Sequence, residues 1–484
     1  MSEAIAADRR LHPATLIGRT LRIIPEAAGG MVAYGAVIAR ADLRQFLMLA
    51  GLGLVIAAVS AFLSWWRFRY GVGPGEIVIQ SGVLKRQRRV IPFERVQDIA
   101  IERPLLARLF GTARVRIETG GSAADEGRLD SISLAHANEL RDIVRGRAGV
   151  ARAEAGPTEA AEPLLFAMSL RRVAFSGLFN FSLVFIAFLG VALSNANELG
   201  LLKRRDVRLP FEAGPEEAWL AAMLVAMVAL LLLGVVAGVL RTLARDYGFR
   251  LTRTDTGLRR RRGLFTLSET VIPVRRIQLA AIESGIVARA LGWRRLEFQT
   301  LGGDGKGSAA QVAAPFARTG EILPILAEAG YPDPGAVGDW TRSPRRSIVN
   351  RAALPLAAGA AALAVAWLVE PMAGAAAAIL LALAAASPLR WSRCAFALSD
   401  TSLSVATGVL KNRMRIMPFA RAQTISVVST PFQRMLRLAS VVVDTAGAPA
   451  FRSFAVADLD SADAEALAER LLALLKEARR ARSR

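Results

Sequence analysis

Three clusters of cationic side chains are the residues in this sequence best suited to chemistry, and each cluster lies beside a glycine. Their members are Lys85, Arg86, Arg88, Arg89, Arg259, Arg260, Arg261, Arg262, Lys411, Arg413 and Arg415. Guanidinium and ammonium groups bind phosphate oxygens, and a basic cluster beside an anionic leaflet gains about 1 kcal/mol per cation. The clusters therefore predict contacts with anionic lipid headgroups. The alternative is a solvated basic turn that keeps a domain soluble and oriented.

A second recurring feature is an arginine followed two positions later by a glutamine. The pairs are Arg95 with Gln97, Arg276 with Gln278, and Arg421 with Gln423. On a β-strand, side chains two residues apart project from the same face, so each pair could bind a ligand. Because a role common to every copy of a repeat is usually structural, we expect the pairs to satisfy backbone groups at a loop or a sheet edge.

The sequence lacks the side-chain sets from which catalytic sites are commonly built. The two histidines, His12 and His136, are too few for a histidine metal site and poorly suited to a Ser/His/Asp triad. It has no phosphate-loop, HExxH or paired CxxC motif. The single cysteine, Cys394, can form no disulfide within the chain. We therefore predict a protein with no catalytic residues, no metal site and no cofactor.

Both the cation clusters and the Arg/Gln pairs belong to a repeat that occurs three times. Its copies read SGVLKRQRRVIPFERVQ, RGLFTLSETVIPVRRIQ and TGVLKNRMRIMPFARAQ. In each copy a glycine lies ten residues before a proline, and that proline lies five residues before the glutamine of the pair. These glycines and prolines are Gly82, Gly263, Gly408, Pro92, Pro273 and Pro418. The constant spacing indicates three copies of one domain.

Residue types within the repeat predict its local structure. Short β-branched segments with partial alternation of apolar and polar residues are typical of antiparallel strands. The repeat glycine is expected to turn one strand into the next, and the proline, which cannot donate to a ladder, is expected to mark a strand end or edge. Each copy closes with a helical pattern, at 134–144, 319–329 and 461–475. Several short strands followed by one amphipathic helix make a compact module.

Long apolar segments separate the copies. A helix that crosses about 30 Å of hydrocarbon needs about 20 apolar residues. Segments 46–66, 173–194 and 219–240 meet this requirement. Segment 352–389 reads as two short helices joined by a tight turn, for which the alternative is a buried helical hairpin of a soluble domain. Segment 23–38 is the weakest candidate, because it contains a proline, an acid and two glycines. We predict three helical hairpins, of which the first has a weak first span.

The charge distribution orients these hairpins. The sequence has 62 Lys and Arg against 41 Asp and Glu, and arginines cluster where the apolar segments meet the large polar regions. By the positive-inside rule, the large regions are cytoplasmic. Membrane-flanking loops account for the surplus of arginine, so we expect no nucleic-acid partner. Residues 1–10 lack the apolar core of a secretory signal, which predicts an uncleaved anchor.

The register of glycine, proline, arginine and glutamine, with its flanking apolar segments, resembles the bacterial pleckstrin-homology-like (PH-like) domain family of the YdbS/YdbT type, also called membrane-flanked domains. Three copies separated by hairpins are similar to the YdbT-like members. The resemblance implies a seven-strand β-sandwich or barrel capped by a C-terminal helix and facing the cytoplasm. It also implies a poorly defined role, associated in some members with antimicrobial-peptide resistance. The sequence departs from the pattern at Arg437, where the other copies have Gly111 and Gly292.

The predicted fold class is an α+β membrane protein in which transmembrane helical hairpins carry three PH-like β-sandwich or barrel domains, each capped by a C-terminal helix. The predicted order is an N-terminal tail 1–22, a first hairpin 23–66, a first domain 67–150, a linker 151–172, a second hairpin 173–240, a second domain 241–333, a linker 334–351, a third hairpin 352–389, a third domain 390–476 and a basic tail 477–484.

The predicted function is that of a non-catalytic, multi-pass protein of the bacterial inner membrane. We expect its cytoplasmic domains to bind lipids of the anionic leaflet or a protein partner, including another membrane-flanked-domain protein, and to act in envelope defence. The alternative is a transporter or lipid-handling protein that works through its transmembrane bundle. A polar cavity between the spans would favour that alternative, whereas a solid Leu/Ala-packed bundle would oppose it.

Overall fold

The structure is a computed structural model of the 484-residue chain. It describes residues 9–13, 15, 43–73, 75–82, 86–119, 127–148, 162–180, 215–255, 257–300, 310–335, 338–368, 373–445 and 454–483. The predicted span 23–38, most of the predicted span 173–194 and the candidate cation Lys85 lie outside the described residues.

Contacts divide the chain into two compact units. The first comprises Met1–Glu162, Ala167–Arg250 and Arg259–Val271, and the second comprises Pro163–Phe166, Leu251–Leu258 and Ile272–Arg484. The boundary passes through the second repeat, so each unit contains one terminal repeat and part of the central one.

Within the described residues, the first repeat has seven strands and a closing helix. Its strands are β1 (Arg9–Arg10), β2 (Arg69–Val72), β3 (Glu76–Ser81), β4 (Gln87–Pro92), β5 (Val96–Pro104), β6 (Thr112–Thr119) and β7 (Gly127–Ser133). Its helices are α1 (Leu43–Arg67), α2 (Leu105–Leu109) and the closing helix α3 (Leu134–Ala148). Strands β1 to β4 form an antiparallel sheet in that order, and β6 pairs antiparallel with both β5 and β7.

Side chains from both groups of strands and from α3 form one hydrophobic cluster in the first repeat. Along β6 the alternation predicted from the sequence is present, because Val115 and Ile117 are fully buried in this cluster. The intervening Arg114 and Arg116 face away and bind Glu102, at 3.3 and 2.9 Å. A two-residue period therefore separates the core face of the sheet from its charged face.

The other two repeats have the same order of elements. The second repeat contains β8 (Leu164–Ala167), β9 (Arg250–Thr254), β10 (Gly257–Arg262), β11 (Thr266–Pro273), β12 (Ile277–Gly285), β13 (Arg294–Thr300) and β14 (Ala310–Ala317). Its helices are α4 (Leu170–Gly177), α5 (Pro215–Asp246), α6 (Ile286–Ala290) and the closing α7 (Thr319–Glu328). With seven described strands and a closing helix, it fits the fold that the resemblance implies.

The third repeat lies entirely in the second unit. Its strands are β15 (Thr341–Arg342), β16 (Ala395–Leu398), β17 (Ser402–Thr407), β18 (Lys411–Pro418), β19 (Ala422–Val428), β20 (Leu438–Thr445) and β21 (Phe454–Asp460). Its helices are α8 (Ser347–Leu368), α9 (Ala373–Ala385), α10 (Ser387–Ser392), α11 (Pro431–Met435) and the closing α12 (Ser461–Ser483). The three closing helices confirm the helical patterns predicted at 134–144, 319–329 and 461–475.

Strand pairing joins neighbouring repeats within each unit. In the first unit β11 pairs antiparallel with β5, with Thr266 opposite Pro104, and we call this contact the first junction. In the second unit β12 pairs antiparallel with β18, with Gly285 opposite Lys411, and we call this the second junction. Thr266 and Lys411 are both the third residue after a repeat glycine, and Pro104 and Gly285 are both the seventh after a repeat glutamine. The two junctions therefore have the same register.

Each repeat begins with a short strand that precedes its apolar segments in the sequence. Strand β1 pairs with β2, and β15 pairs with β16, although α1 lies between the first pair and α8 and α9 between the second. The indole nitrogens of Trp65 and Trp391 donate to the carbonyl oxygens of Leu11 and Ser343, at 3.0 and 2.8 Å. The predicted tail 1–22 and linkers 151–172 and 334–351 thus contain the first strands of the domains. Strands of two to four residues have too short a pattern to be recognised in the sequence.

The repeat glycines and prolines have the conformations that the sequence predicts. The φ angles of Gly82, Gly263 and Gly408 are 104, 117 and 95°. A Cβ atom at Gly263 would lie 1.9 Å from the carbonyl oxygen of Thr266, so a larger residue cannot make this turn without a shift of the backbone. Each repeat proline is the last residue of its strand and is followed by a 3-10 turn.

Two described helices are long and apolar enough to cross a membrane, at Val228–Asp246 and Ser347–Leu368, and a shorter apolar helix lies at Gly374–Ala385. Many of their large apolar side chains are exposed, such as Leu232 and Leu240 on α5 and Trp367 on α8. Contiguous apolar surface of this kind is unfavourable in water and favourable in lipid. The helices are therefore those of a membrane-associated protein.

Candidate headgroup pocket and repeat junctions

A cavity of about 620 Å³ lies at the end of α1, beside the first repeat, and we call it the arginine pocket. Its wall includes Arg67, Arg69, Arg86 and Arg88, together with Trp66 and Gln80. This volume lies within the range of small-molecule sites. Among the described lining residues none is acidic, so the pocket has the electrostatic character of an anion site.

Strand pairing aligns two of these arginines. Arg69 on β2 lies opposite Gln80 on β3, which lies opposite Arg88 on β4. Directly opposite residues of an antiparallel sheet project from the same face, with Cβ atoms about 5 Å apart. Two guanidinium groups therefore flank one amide in a row across three strands. Such a row offers several donors to one phosphate group and no competing carboxylate.

The remaining pocket residues come from the end of the apolar helix α1. The guanidinium carbon of Arg67 lies 5.1 Å from the centre of the Trp66 ring, within cation–π distance. Trp66 is exposed, and tryptophan at the end of an apolar helix is typical of the headgroup layer of a bilayer. The four arginines form no ion pair with another described residue. No carboxylate among the described residues therefore competes with an external anion for their donors.

The equivalent row differs in the other two repeats. In the third repeat it consists of Ala395, Ala406 and Met414, which lie opposite one another on β16, β17 and β18. In the second repeat an acid, Glu269, is the counterpart of Arg88, since both lie six residues after the repeat glycine. The described residues therefore form a row of two arginines without an acid in the first repeat alone.

Most arginines of the second cation cluster form ion pairs within the protein or are buried. Arg259 forms an ion pair with Glu162 at 2.8 Å, and Arg262 forms one with Asp246 at 3.0 Å. Arg260 is buried. Arg261 is the exposed member of the cluster. The sequence alone does not distinguish these arginines. In the structure, successive side chains of β10 project from opposite faces of the sheet and so have different environments.

The third cation cluster belongs to the second junction. Lys411 and Arg413 on β18 both bind Glu283 on β12, the lysine at 2.5 Å. Burial alone would raise the pKa of Glu283, but the hydrogen bonds and charges of Lys411 and Arg413 outweigh it and lower that pKa below its usual value. The guanidinium carbon of Arg415 lies 5.3 Å from the centre of the Phe454 ring. Burial lowers the pKa of Arg415, and the positive charge of Arg413 lowers it further.

One side chain of the second Arg/Gln pair and one of the third contact backbone carbonyl groups. The Gln278 side-chain amide donates to the Arg276 carbonyl at 3.2 Å. Arg421 donates to the carbonyl oxygen of Arg275 at 2.6 Å, which connects the third repeat to the 3-10 turn of the second. The side chains of Arg95 and Gln97 lie outside the described residues, and Gln423 is exposed.

Two buried acids that the sequence analysis did not single out attach apolar helices to the domains. Asp246, at the end of α5, binds Arg262 of β10. Asp458 on β21 accepts hydrogen bonds from Asn350 at 2.7 Å and Arg351 at 3.1 Å, both on α8. For Asp246, a carboxylate at the end of an apolar helix beside several arginines was the available signal; Asp458 lies on a strand and had no such signal. Such contacts couple the position of each helix to that of its domain.

Comparison with known proteins agrees with the repeat architecture. The model of a family described as Bacterial PH domain matches residues 21–148, 196–327 and 352–475. A curated relative, the UPF0699 transmembrane protein YdbT of Bacillus subtilis (strain 168), is 19% identical over 314 residues, which cover 62% of this chain and 64% of the relative. The match thus spans less than two thirds of that relative's length. No solved structure matches the chain.

Proposed function

The chain belongs to the bacterial PH domain family, and on that premise we propose that it is a non-catalytic membrane scaffold whose first repeat binds an anionic lipid headgroup in the arginine pocket. The observation that carries the proposal is the arrangement of Arg67, Arg69, Arg86 and Arg88 around one cavity at the end of an apolar helix. Guanidinium donors bind phosphate and carboxylate oxygens, and phosphate is the anionic group that a lipid headgroup presents.

Membrane anchoring would place this pocket at the depth of the lipid headgroups. We propose that α1, α5 and α8 with α9 belong to three hairpins that cross the bacterial inner membrane, with the domains on the cytoplasmic side. The arginines at the domain-side ends of these helices support this orientation through the positive-inside rule. Trp66 would then lie in the headgroup layer, next to the cations that contact the phosphate.

The direct test measures lipid binding to the purified full chain in detergent, with Arg69→Ser and Arg88→Ser combined. The ligand is a short-chain phosphatidylglycerol below its critical micelle concentration. Loss of two cation–phosphate contacts at about 1 kcal/mol each predicts binding about 30-fold weaker at low salt. Weaker binding with rising salt is also expected, because salt screens these charges.

A matched control removes the same charge elsewhere. Arg250 and Arg261 are exposed arginines of the second repeat at the positions equivalent to Arg69 and Gln80, and their double serine variant is expected to bind the lipid as the parent does. Glycerol phosphate tests whether the acyl chains matter, and phosphatidylcholine tests the charge. Equal losses in both double variants, or equal affinity for phosphatidylcholine, would contradict a specific headgroup site.

A transporter that works through its transmembrane bundle is the weaker candidate. Between positions 352 and 368 and between 373 and 385 the sequence has no ionisable residue. A Cβ atom at Gly359 of α8 would lie 3.0 Å from the Leu381 side chain of α9, so these helices pack closely through small and aliphatic residues. A role in envelope defence stays a prediction from the family resemblance.

A further inference from the structure

The strands that form the two junctions have counterparts at the ends of the repeat array. Strand β4 of the first repeat is equivalent to β11 and β18, and β19 of the third repeat is equivalent to β5 and β12. Within the described part of the chain, β4 and β19 each have a neighbouring strand on one side only. Each therefore presents a row of backbone donors and acceptors with no described strand beside it.

Apolar side chains on both edges are exposed, whereas the equivalent side chains at the two junctions are buried. Val271 and Ile416 of the two junction strands are 7% and 0% exposed, whereas the equivalent Val90 on β4 is 43% exposed. Ile101 and Ile282 on the opposing strands are 4% and 6% exposed, whereas the equivalent Val427 on β19 is 41% exposed. The same apolar positions are thus buried wherever a neighbouring repeat is present.

We propose that β4 of one copy of the chain pairs antiparallel with β19 of a second copy, so that the protein assembles head to tail by the contact that already joins its own repeats. The register of the two junctions, extended to these edges, places Gln87 opposite Val428 and Val90 opposite Ile425. Strand addition to an exposed edge supplies backbone hydrogen bonds, and the side chains supply the specificity.

A second copy is the partner that fits both edges at once. It carries the β19 edge that completes β4 and the β4 edge that completes β19. The acid found at this position in the other repeats, Glu102 or Glu283, is replaced by Val428 in the third repeat, so no carboxylate is left without a partner opposite Gln87. Such a contact is heterologous, and it produces rings or open chains rather than a closed two-fold dimer.

Disulfide formation between copies tests the register. Two differently tagged copies of the full chain, both with Cys394→Ser, are produced together in one membrane, one with Gln87→Cys and the other with Val428→Cys. Oxidation of isolated membranes is expected to give a dimer that carries both tags, because opposite residues of an antiparallel pair come within disulfide distance.

Two controls accompany this experiment. A single chain with Ser284→Cys and Asn412→Cys, which lie opposite each other at the second junction, should form an internal disulfide under the same conditions. Gln87→Cys with Ser426→Cys is two residues out of register and should give at least tenfold less dimer. The proposal is overturned if the internal control reacts without any dimer, if both dimers form equally, or if the chain is captured only by a different protein.

A second variant tests the edge without cysteine chemistry. Val427→Lys places a charge on the proposed contact, whereas Leu472→Lys changes an equally exposed residue of α12, since both are 41% exposed. Lysine on an edge strand opposes strand addition. In light scattering of the detergent-solubilised chain, Val427→Lys is expected to weaken association at least tenfold, and Leu472→Lys is expected to leave it unchanged. Equal effects, or a parent chain that is monomeric at all concentrations, would refute the assembly.

Discussion

The first and second junctions have the same backbone register but are held by different side chains. At the second junction, Glu283 is 3% exposed and binds two cations of the next repeat. At the first junction, the equivalent Glu102 is 20% exposed and binds arginines of its own repeat. The cross-repeat ion pair there joins Arg141 to Glu269 instead, at 2.9 Å.

This difference shows which features both junctions share and which differ between them. Backbone pairing and the burial of Ile101 and Ile282 are common to both junctions. The ion pairs occupy different positions, because a charged contact between neighbouring strands or helices needs only that the two charged groups come within reach of each other. The two junctions should therefore respond differently to changes in charge, and the size of each response should follow burial.

Charge reversal at the buried acid is expected to have the largest effect. Glu283→Lys would place an ammonium group in a site that is 3% exposed, beside Lys411 and Arg413. Breaking a fully buried ion pair costs about 3–5 kcal/mol, and because Lys411 and Arg413 are themselves about half exposed we expect a loss of about 3 kcal/mol in unfolding free energy. Glu102→Lys is the matched control. Its loss of unfolding free energy should be less than half as large, because the Glu102 side chain is more exposed to water. Denaturant unfolding of the full chain, with hydrogen exchange at 277–285, measures both, and equal losses would contradict the comparison.

Acidification should open the second junction by a smaller amount. The pKa of Glu283 is lowered in the folded state, so the stabilisation is present above its usual value of 4.5 and is lost as the pH falls through the folded pKa. A neutral carboxyl group still accepts hydrogen bonds, which makes the effect smaller than charge reversal. Hydrogen exchange of β12 between pH 6 and pH 3, with Glu283→Gln as the control, measures it. A parent chain that loses no more protection than the glutamine variant would contradict the assignment.

Removal of the ion pair at the first junction should have the smallest effect. Arg141→Met keeps the aliphatic stem and removes the charge that binds Glu269. Both side chains are partly exposed, so we expect a loss of about 0.5–1 kcal/mol. Asn138→Ala controls for the second hydrogen bond of Arg141, which joins it to Asn138 at 3.1 Å. A loss above about 2 kcal/mol in denaturant unfolding would show that this junction depends on charge as the second one does.

Local properties of the sequence were sufficient to predict the repeated unit. The constant spacing of glycine, proline and glutamine predicts three domains, and the structure confirms the glycine turns, the strand-ending prolines and the closing helices. At Arg437 the third repeat keeps the left-handed conformation of Gly111 and Gly292, with φ of 53° against 64 and 76°. The position in the fold, rather than the residue type, thus determines the backbone there.

Contacts between distant residues were decided by the tertiary structure alone. In the sequence, eleven cations form three clusters that cannot be told apart. In the structure, Arg262 and Arg413 bind neighbouring acids. Strand alternation buries Arg260 and leaves Arg88 exposed in the arginine pocket. Pairing of β5 with β11 and of β12 with β18 has no signature of its own, because any strand edge offers the same backbone groups. Spacing along a chain predicts local elements, whereas the partner of a side chain or an edge depends on which elements the folded chain brings together.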